Sequence, residues 1–435
     1  MKKRLLLLSL LATFGSNAQH ERCMTTQAMQ YQESLTPGYL QSVNSVFEQA
    51  KAYASNQPKS MILYTIPVVV HIVYNTPAQN IADSVIEDQI RILNEDFQRM
   101  NADTVNMRPD FDPVKGSPQI QFVLAQIDPN GMPTNGITRT STGTTTFGSL
   151  ALLGGSFADL EKIKSTADGG EDPWDQTRYL NIWVGNMAFD LLGNEIIALL
   201  GYATPPDGLP NWPPGSTNGL SDGVVIQYHC FGSNNPNVLD VGAGPIDVRG
   251  RTPVHEVGHY LGLRHIWGDG DCTAQDGIDD TPNADAQSDN DCDPSKNTCT
   301  DNISGSDLPD MIENYMDYSA ETCQNSFTKG QSDLMHGVLE NERYDLVHNN
   351  PALVIEEGLT YVQLYPNPAN DQLHVSGLQS KADIFVYTPT GQAASTFTLN
   401  AGSNGVLDVR HLPQGIYFVR VDADGQSTTR KIVLN

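Results

Sequence analysis

The chain has 435 residues and carries 51 acidic against 25 basic side chains, a formal net charge of -26 at pH 7. Nucleic acid and anionic membranes would repel a surface of this sign, so neither is expected as the main partner. Hydrophobic residues make up 39% of the chain and charged residues 17%, which excludes both a disordered polyanion and a multi-span membrane protein. The composition predicts a folded, acidic protein with room for two or three domains.

The N-terminus has the pattern of a secretory signal peptide at residues 1–18. Three basic residues precede a short apolar run, and small residues ending at Ala18 provide a cleavage site. The apolar run is far shorter than the ~20 residues that a membrane-spanning helix needs, so we expect no transmembrane anchor. Export predicts an oxidising environment, in which clustered cysteines are paired.

Residues 19–60 are polar, show no strand pattern and are predicted to form a pro-segment or linker. Residues 61–350 are predicted to form a mixed α/β domain with a small sheet. It begins with a β-branched strand at 66–74, followed by a helix that Asp83-Ser84 cap and whose apolar face extends to Met100. Further strands are predicted at 119–127, 180–184 and 224–228, and a further helix at 328–349.

The last part of the chain, residues 360–435, has a different pattern. Short strands alternate with turns that contain Pro, Gly and Asn, which predicts a small all-β sandwich domain. The predicted strands are 372–375, 382–387, 405–409, 416–421 and 428–434.

The segment from His255 to His265 contains three histidines at metal-ligand spacing. On a helix, His255 and His259 project from one face toward a single point. Gly262 can take a positive φ, so the helix can end there and bring His265 round as a third ligand. Three neutral nitrogens with one open position are typical of catalytic zinc, whereas structural zinc has four protein ligands. Glu256 lies where its carboxylate can reach a water on the metal.

This extended pattern resembles the metzincin zinc peptidases, which also have a methionine turn. Asn314-Tyr315-Met316-Asp317-Tyr318 supplies such a turn. Together with the segments at 265–282 and 323–331, these motifs resemble the pappalysin family, specifically its secreted bacterial and archaeal members. The resemblance implies a twisted sheet, an active-site helix, Met316 as an apolar floor under the zinc, and Tyr318 as a stabiliser of the tetrahedral intermediate.

The resemblance also implies a secreted endopeptidase that hydrolyses protein or peptide substrates. Glu256 would take a proton from the attacking water and pass it to the leaving amine. The alternative is a cell-surface calcium-binding adhesin with a non-catalytic zinc site, against which Glu256 beside three histidines argues.

An acidic loop follows the histidines. Between Asp269 and Asp310 there are twelve aspartates, one lysine and no glutamate. Such a density of short carboxylates favours neutralisation by calcium, which prefers six to eight oxygen ligands. Asp276, Asp279 and Thr281 are the predicted ligands, supported by the calcium sites of pappalysin-like peptidases; a solvated acidic loop is the alternative.

Four cysteines lie in or after this loop and allow three pairings: Cys272, Cys292, Cys299 and Cys323. The family resemblance implies the pairs Cys272–Cys299 and Cys292–Cys323. Glu321 lies in the wall of the cleft that this clamp would order, and is predicted to attract an Arg or Lys side chain after the scissile bond.

Cys23 precedes the catalytic domain. A thiolate is a good fourth zinc ligand, so Cys23 is predicted to hold the enzyme latent until cleavage near Lys59-Ser60, as a similar cysteine does in related zymogens. The competing interpretations are a Cys23–Cys230 disulfide and a cysteine without a role.

The tail resembles the C-terminal sorting domains of the type IX secretion system. Its opening Leu364-Tyr365-Pro366-Asn367-Pro368 and its closing residues 431–435 carry the resemblance. It implies the type IX secretion machinery as a partner, followed by release or surface attachment. A fibronectin-like or carbohydrate-binding module is the alternative, because fold alone determines no function.

Overall fold

The structure is a computed structural model. It describes residues 22–56, 62–148, 157–191, 194–197, 199–208, 221–241, 244–303, 305–348, 350, 352, 362–378, 380–389, 391–400, 405–423 and 426–435. The predicted signal peptide at 1–18 and the predicted cleavage point at Lys59-Ser60 lie outside these ranges. No helix in the described ranges combines the length and apolar character that crossing a bilayer requires.

The described α-helices are α1 (Thr25–Leu35), α2 (Tyr39–Asn56), α3 (Asp83–Phe97), α4 (Ala158–Glu161), α5 (Arg251–Tyr260), α6 (Lys329–Leu339) and α7 (Tyr344–Val347). Short 3-10 helices span Ala102–Asn106, Pro109–Phe111, Lys162–Lys164, Thr166–Asp168 and Tyr228–Cys230. Of these, α1 and α2 lie in the region predicted to form a pro-segment or linker, for which no helices were predicted. In α2, Val46, Phe47 and Ala50 recur at helical spacing and are buried, so one apolar stripe attaches this helix to the domain.

The N-terminal strands are β1 (Tyr64–Tyr74), β2 (Ile120–Leu124), β3 (Ile137–Ser141), β4 (Leu180–Gly185), β5 (Phe189–Leu191), β6 (Asn194–Ile196), β7 (Gly201–Ala203) and β8 (Val224–Gln227). The main sheet has the order β2-β1-β4-β8-β7, and β3 pairs with the second half of β1. All pairs in it are parallel except that of β7, which runs antiparallel to β8 at the edge. That edge faces the candidate site.

Helix α3 differs in detail from its prediction. Asp83 is its first residue rather than its cap, and Ala82 at the N-cap makes no side-chain hydrogen bond; the Asp83 carboxylate pairs instead with Arg139. The helix ends at Phe97 because Arg99 has a left-handed backbone, with φ 53°. Met100 is therefore outside the helix, and 61% of it is exposed.

One hydrophobic core joins the main sheet to α3, α5 and α6. The apolar residues of β1 supply its centre: Ile66, Val68, Val70 and Ile72 are fully buried. Full burial of a strand on both faces suits a parallel sheet covered by other elements. Helix α5 is thus supported by this core.

The C-terminal residues form two antiparallel sheets around a separate core. The strands are β9 (Gln363–Tyr365), β10 (Gln372–Ser376), β11 (Ala382–Tyr387), β12 (Ala393–Leu399), β13 (Gly405–Asp408), β14 (Gly415–Ala423) and β15 (Gln426–Leu434). One sheet has the order β13-β10-β9 and the other β12-β11-β14-β15. The sequence prediction missed β9 and β12; all residues of β12 are at least partly exposed.

Candidate metal centre

Helix α5 carries two of the predicted ligands on one face, His255 and His259. Both are buried, and their Nε2 atoms lie 3.1 Å apart. The helix ends at Tyr260, and Gly262 then takes a φ of 91°. This left-handed turn brings the Nε2 atom of His265 to 3.1 Å from that of His259. The three histidines therefore converge as the spacing predicted.

The hydrogen bonds of the other ring nitrogens identify the tautomers. The Nδ1 atom of His255 lies 2.7 Å from the carbonyl oxygen of Tyr315, and that of His259 lies 2.8 Å from the carbonyl oxygen of Leu263. Both partners are acceptors only, so each Nδ1 must donate, and each Nε2 presents a lone pair. Burial lowers the pKa of His259 to about 3, which keeps its imidazole neutral.

The third imidazole is held by a carboxylate instead of a carbonyl. Nδ1 of His265 lies 2.6 Å from Oδ1 of Asp269. Burial raises the pKa of Asp269, but hydrogen bonds from His265 and Thr26 lower it more, to about 2, so the carboxylate accepts. The Nε2 atoms of the three rings thus meet at one point. Three imidazole nitrogens arranged in this way fit a zinc ion.

Met316 lies under this point, as expected of a methionine turn. It is fully buried, and its backbone N–H donates to Oδ1 of Asn314. A Cβ on Gly258 would overlap the Met316 sulfur. The glycine inside the histidine motif therefore lets the methionine approach the helix, a role that sequence reasoning missed.

Glu256 is completely buried beside the histidines. Its Oε2 atom accepts hydrogen bonds from the Cys23 thiol and the Thr25 hydroxyl, both at 3.3 Å, while Oε1 has no partner within the described residues. Burial raises the pKa of Glu256 to about 8, although the two hydrogen bonds lower it. A Cβ on Gly201 of β7 would lie 2.8 Å from the Glu256 Cγ, so the sheet edge approaches the carboxylate closely.

Cys23 closes the fourth side of the cluster. Cys23, His255, His259 and His265 each offer one ligand atom. These four atoms all lie within 4.8 Å of one another. In the described part of the chain this is the one such cluster of potential metal ligands. The N-terminal segment that contains Cys23 pairs with the edge of the main sheet, since Cys23 forms a parallel bridge with Gly201 of β7. Burial, together with the nearby Glu256 carboxylate, raises the pKa of the Cys23 thiol.

Tyr318 is buried next to the cluster and faces the same segment. Its hydroxyl donates to the carbonyl oxygen of Cys23 at 3.2 Å, and the Cys23 N–H lies 3.1 Å from the same hydroxyl. The ring centroid is 5.1 Å from that of His265. In this form the Tyr318 hydroxyl makes its hydrogen bonds with the backbone of Cys23, in the N-terminal segment.

Glu321 is buried at the N-terminus of α5. Its carboxylate accepts the backbone N–H groups of Arg249, Arg251 and Thr252 and the Thr252 hydroxyl, at 2.5–3.1 Å. A carboxylate at a helix N-terminus satisfies donors that lack intrahelical partners. The same carboxylate lines the pocket that contains Arg22, so its use as a specificity residue stays a prediction.

A different group lies in the pocket beside Glu321. Arg22 donates to the carbonyl oxygens of Tyr318 and Ser319 at 2.6 and 2.9 Å. Arg22, Asp317 and Glu321 all line this pocket. Asp317 is buried, and its Oδ2 atom has no hydrogen-bond partner among the described residues. Burial raises the pKa of the Asp317 carboxyl, and hydrogen bonds and the Arg22 guanidinium offset only part of this rise.

The structure contains two interlaced disulfides, Cys272–Cys299 and Cys292–Cys323. These are the pairs that the family resemblance implied. Cys23 and Cys230 are both free and buried, so a disulfide between them is not formed.

The acidic loop shows internal bonds at the predicted calcium ligands. Asp276 is buried, and its two oxygens accept from the Ile278 N–H and the Thr281 hydroxyl, each at 2.8 Å. Lys51 of α2 donates to the carbonyl oxygen of Gly277 and to Asp279, also at 2.8 Å. The Lys51 ammonium thus contacts the loop at two of its oxygens beside the predicted ligands.

The fold and the site together define a metallopeptidase of the metzincin type. Residues 247–340 match the family described as pregnancy-associated plasma protein-A, and residues 363–435 match the secretion system C-terminal sorting domain. The chain belongs to the pappalysin family of metallopeptidases. Its sorting domain marks it as a secreted or surface-attached protein.

Solved structures of mirolysin from Tannerella forsythia are similar over most of their length. Mature mirolysin in complex with a cleaved peptide is 42% identical, with a TM-score of 0.55, and the match covers 68% of this chain and 99% of that one. A promirolysin mutant is 39% identical, with a TM-score of 0.60, over 75% of this chain and 97% of that one.

Extracellular metalloproteases of fungi are also similar. The one from Arthroderma benhamiae is 37% identical over 130 residues, which are 29% of this chain and 39% of that protein. Extracellular metalloprotease 1 of Coccidioides posadasii is 38% identical over 31% of this chain and 43% of that protein. The chain therefore spans less than half the length of these curated relatives.

The position of Glu321 at the N-terminus of α5 predicts that it stabilises the fold. We expect Glu321→Gln to lower the free energy of unfolding by about 2 kcal/mol, because an amide supplies one acceptor oxygen where the carboxylate supplies two. Thermal unfolding of the full chain, compared with the wild type, measures the change. Glu87→Gln, at an exposed position of α3, is the matched control and should change nothing. Unaltered stability of Glu321→Gln would contradict the capping role.

Proposed function

We propose that the chain is a secreted, zinc-dependent endopeptidase that is made as a zymogen. The observation that carries this proposal is the convergence of three imidazole Nε2 atoms beside a buried Glu256 side chain of which one oxygen has no partner among the described residues. Zinc bound by His255, His259 and His265 would activate a water molecule and polarise the scissile carbonyl.

The protein's own groups account for the proton transfers. Glu256 is placed to accept a proton from the attacking water at a carboxylate oxygen and to deliver it to the leaving amine. The Tyr318 hydroxyl, once released from Cys23, is positioned to donate a hydrogen bond to the oxygen on which negative charge develops. Met316 keeps the floor of the site apolar and dry.

Substitution of the proposed base tests this function. We expect Glu256→Ala to retain one zinc per chain, because the side chain is not one of the three nitrogen donors. Its kcat on casein or a peptide should fall by about 10²–10⁴-fold, the contribution typical of a general acid–base. Metal analysis and hydrolysis are measured after removal of the pro-segment with an added protease. Wild-type turnover in the zinc-loaded variant would refute the role of Glu256.

The wild-type protein decides between the two classes of function. Casein hydrolysis that a chelator abolishes and zinc restores supports the peptidase. A zinc-loaded, correctly processed wild type without hydrolytic activity would instead fit the adhesin alternative.

Latency is proposed to depend on Cys23. Its thiol reaches the three imidazoles, and the same short segment holds Glu256 through Thr25 and Tyr318 through the backbone. The Thr25 hydroxyl is itself fixed, because it accepts the N–H of Ala203 at 2.9 Å. The segment thus blocks the ligand position, the base and the phenol at once.

The latch predicts a contrast between the two free cysteines. We expect the Cys23→Ala proenzyme to hydrolyse peptide at least about tenfold faster than the wild-type proenzyme, because the open ligand position becomes accessible. Cys230→Ala removes an equally buried thiol and is expected to stay latent. Initial rates on a short quenched peptide, with intact proenzyme verified by mass spectrometry, give the comparison. Equal rates for the two variants would exclude a latch at Cys23.

A preference for basic residues after the scissile bond is proposed for the pocket beside Tyr318. In the latent form the Arg22 guanidinium donates to two carbonyl oxygens in this pocket, which Asp317 and Glu321 also line. A substrate Arg or Lys would take the same place when the pro-segment leaves. Glu321, Asp317 and these carbonyls, which line the pocket together, then recognise the cation.

Peptide-library cleavage tests the preference. We expect Arg and Lys to dominate at P1′, and Asp317→Asn to reduce the ratio of kcat/KM for Arg over Leu by about tenfold, equivalent to 1.4 kcal/mol. The Leu peptide serves as the internal control for general damage. A profile without basic residues at P1′ would remove this specificity.

Two further roles remain proposals. Calcium is proposed for the form without the pro-segment, in which loss of Lys51 would leave the Gly277 carbonyl and the Asp279 carboxylate facing solvent. The type IX secretion machinery is the proposed partner of the C-terminal domain, on the strength of the sorting-domain match at 363–435.

A further inference from the structure

Asp269 contacts the metal centre without belonging to the set of proposed ligands. Its Oδ1 atom lies 2.6 Å from Nδ1 of His265, and its Oδ2 atom accepts the Thr26 hydroxyl at 2.8 Å. The Nδ1 atoms of His255 and His259 instead donate to backbone carbonyl oxygens. Among the three imidazoles, that of His265 is thus the one with a charged partner.

The difference follows from where the three histidines lie. His255 and His259 are part of α5, whose backbone restricts their rotamers. His265 follows the end of the helix, in a segment without regular structure, so its ring needs other supports. One support is Trp267, whose ring stacks on that of His265 with centroids 4.3 Å apart and planes 8° apart. Stacking fixes the plane of the ring but does not select its tautomer.

The backbone around Asp269 is shaped to bring the carboxylate back to the ring. Asp269 has a φ of 55°, a left-handed conformation that is unfavourable for a residue with a Cβ. Gly268 before it is also left-handed, and a Cβ there would lie 2.6 Å from the backbone of Gln275. The tight turn is closed by the Gly268 N–H, which donates to the His265 carbonyl at 2.9 Å.

We propose that Asp269 is a positioning residue for the metal centre: its carboxylate holds His265 with Nε2 toward the other two imidazoles and strengthens that nitrogen as a donor to zinc. A negative partner raises the basicity of a ligating imidazole, and loss of such partners typically weakens metal binding by 10–100-fold. This inference rests on the proposed zinc site.

The pro-segment touches the same carboxylate through Thr26. Its hydroxyl shares the negative charge of Asp269, so His265 receives the whole of that charge after the pro-segment leaves. The pro-segment therefore acts on His265 indirectly, through the Asp269 carboxylate. It also acts on the open ligand position directly, through Cys23.

The experiment compares zinc release from the full chain in the wild type, Asp269→Asn and Asp271→Asn. Asparagine tolerates a left-handed backbone and keeps an acceptor oxygen, so Asp269→Asn removes the charge with little change of shape. Asp271 is an exposed aspartate of the same loop and serves as the matched control. Zinc transfer to an excess of chelator is followed with a metal indicator, and the melting temperatures of the zinc-free proteins are recorded.

We expect Asp269→Asn to release zinc about 10–100-fold faster than the wild type, Asp271→Asn to match the wild type, and all zinc-free melting temperatures to agree. Asp269→Glu, which restores a carboxylate, should recover part of the loss. Equal zinc release from Asp269→Asn and Asp271→Asn, or a fall in zinc-free stability that accounts for the difference, would overturn the positioning role. A wild type that binds no zinc would instead overturn the proposed function itself.

Discussion

The site depends on one electrostatic constraint: three imidazole lone pairs point at the same place in a buried environment. Such an arrangement is unfavourable unless a cation occupies the point, so the fold must enforce it. It does so with the helical spacing of His255 and His259, with the left-handed turn at Gly262, and with acceptors behind every ring. Gly258 and Gly201 also help to form the site. They lack a Cβ, so the Met316 sulfur can approach Gly258 and the Glu256 side chain can approach Gly201.

The N-terminal segment is complementary to this site residue by residue. Arg22 lies in the pocket beside Tyr318, Cys23 faces the imidazoles, Thr25 binds Glu256 and Thr26 binds Asp269. Helix α2 anchors the segment at a distance, with Phe47 packed under the Arg264 guanidinium at 3.9 Å and Lys51 bound to the acidic loop. Inhibition is thus spread over several weak contacts, which removal of the segment breaks together.

The parts of the site that the sequence predicts are the parts encoded locally. The three histidines, Glu256 and the methionine turn follow from spacing, since helix geometry converts four residues along the chain into one face. Asp269 carried a usable signal, because it lies four residues after His265. Arg22, Thr25 and the capping role of Glu321 carried none: the partners described above are 69–297 residues away, and only the folded chain brings them together.

The fold shows the same division. The buried strands of the main sheet were predictable because continuous β-branched runs tolerate few other structures. Short edge strands such as β7 lack that signal, and polar composition concealed α1 and α2. Met100 shows the limit of periodicity, because the left-handed Arg99 ends the helix before it.

The crossing of the two disulfides has a consequence for a protein that works among peptidases. Cys292 lies inside the span closed by Cys272 and Cys299, and Cys299 lies inside the span closed by Cys292 and Cys323. A single cut in the backbone anywhere between Cys272 and Cys323 therefore releases no fragment, because at least one disulfide still joins the two sides. The longest acidic stretch of the surface can be nicked without being lost.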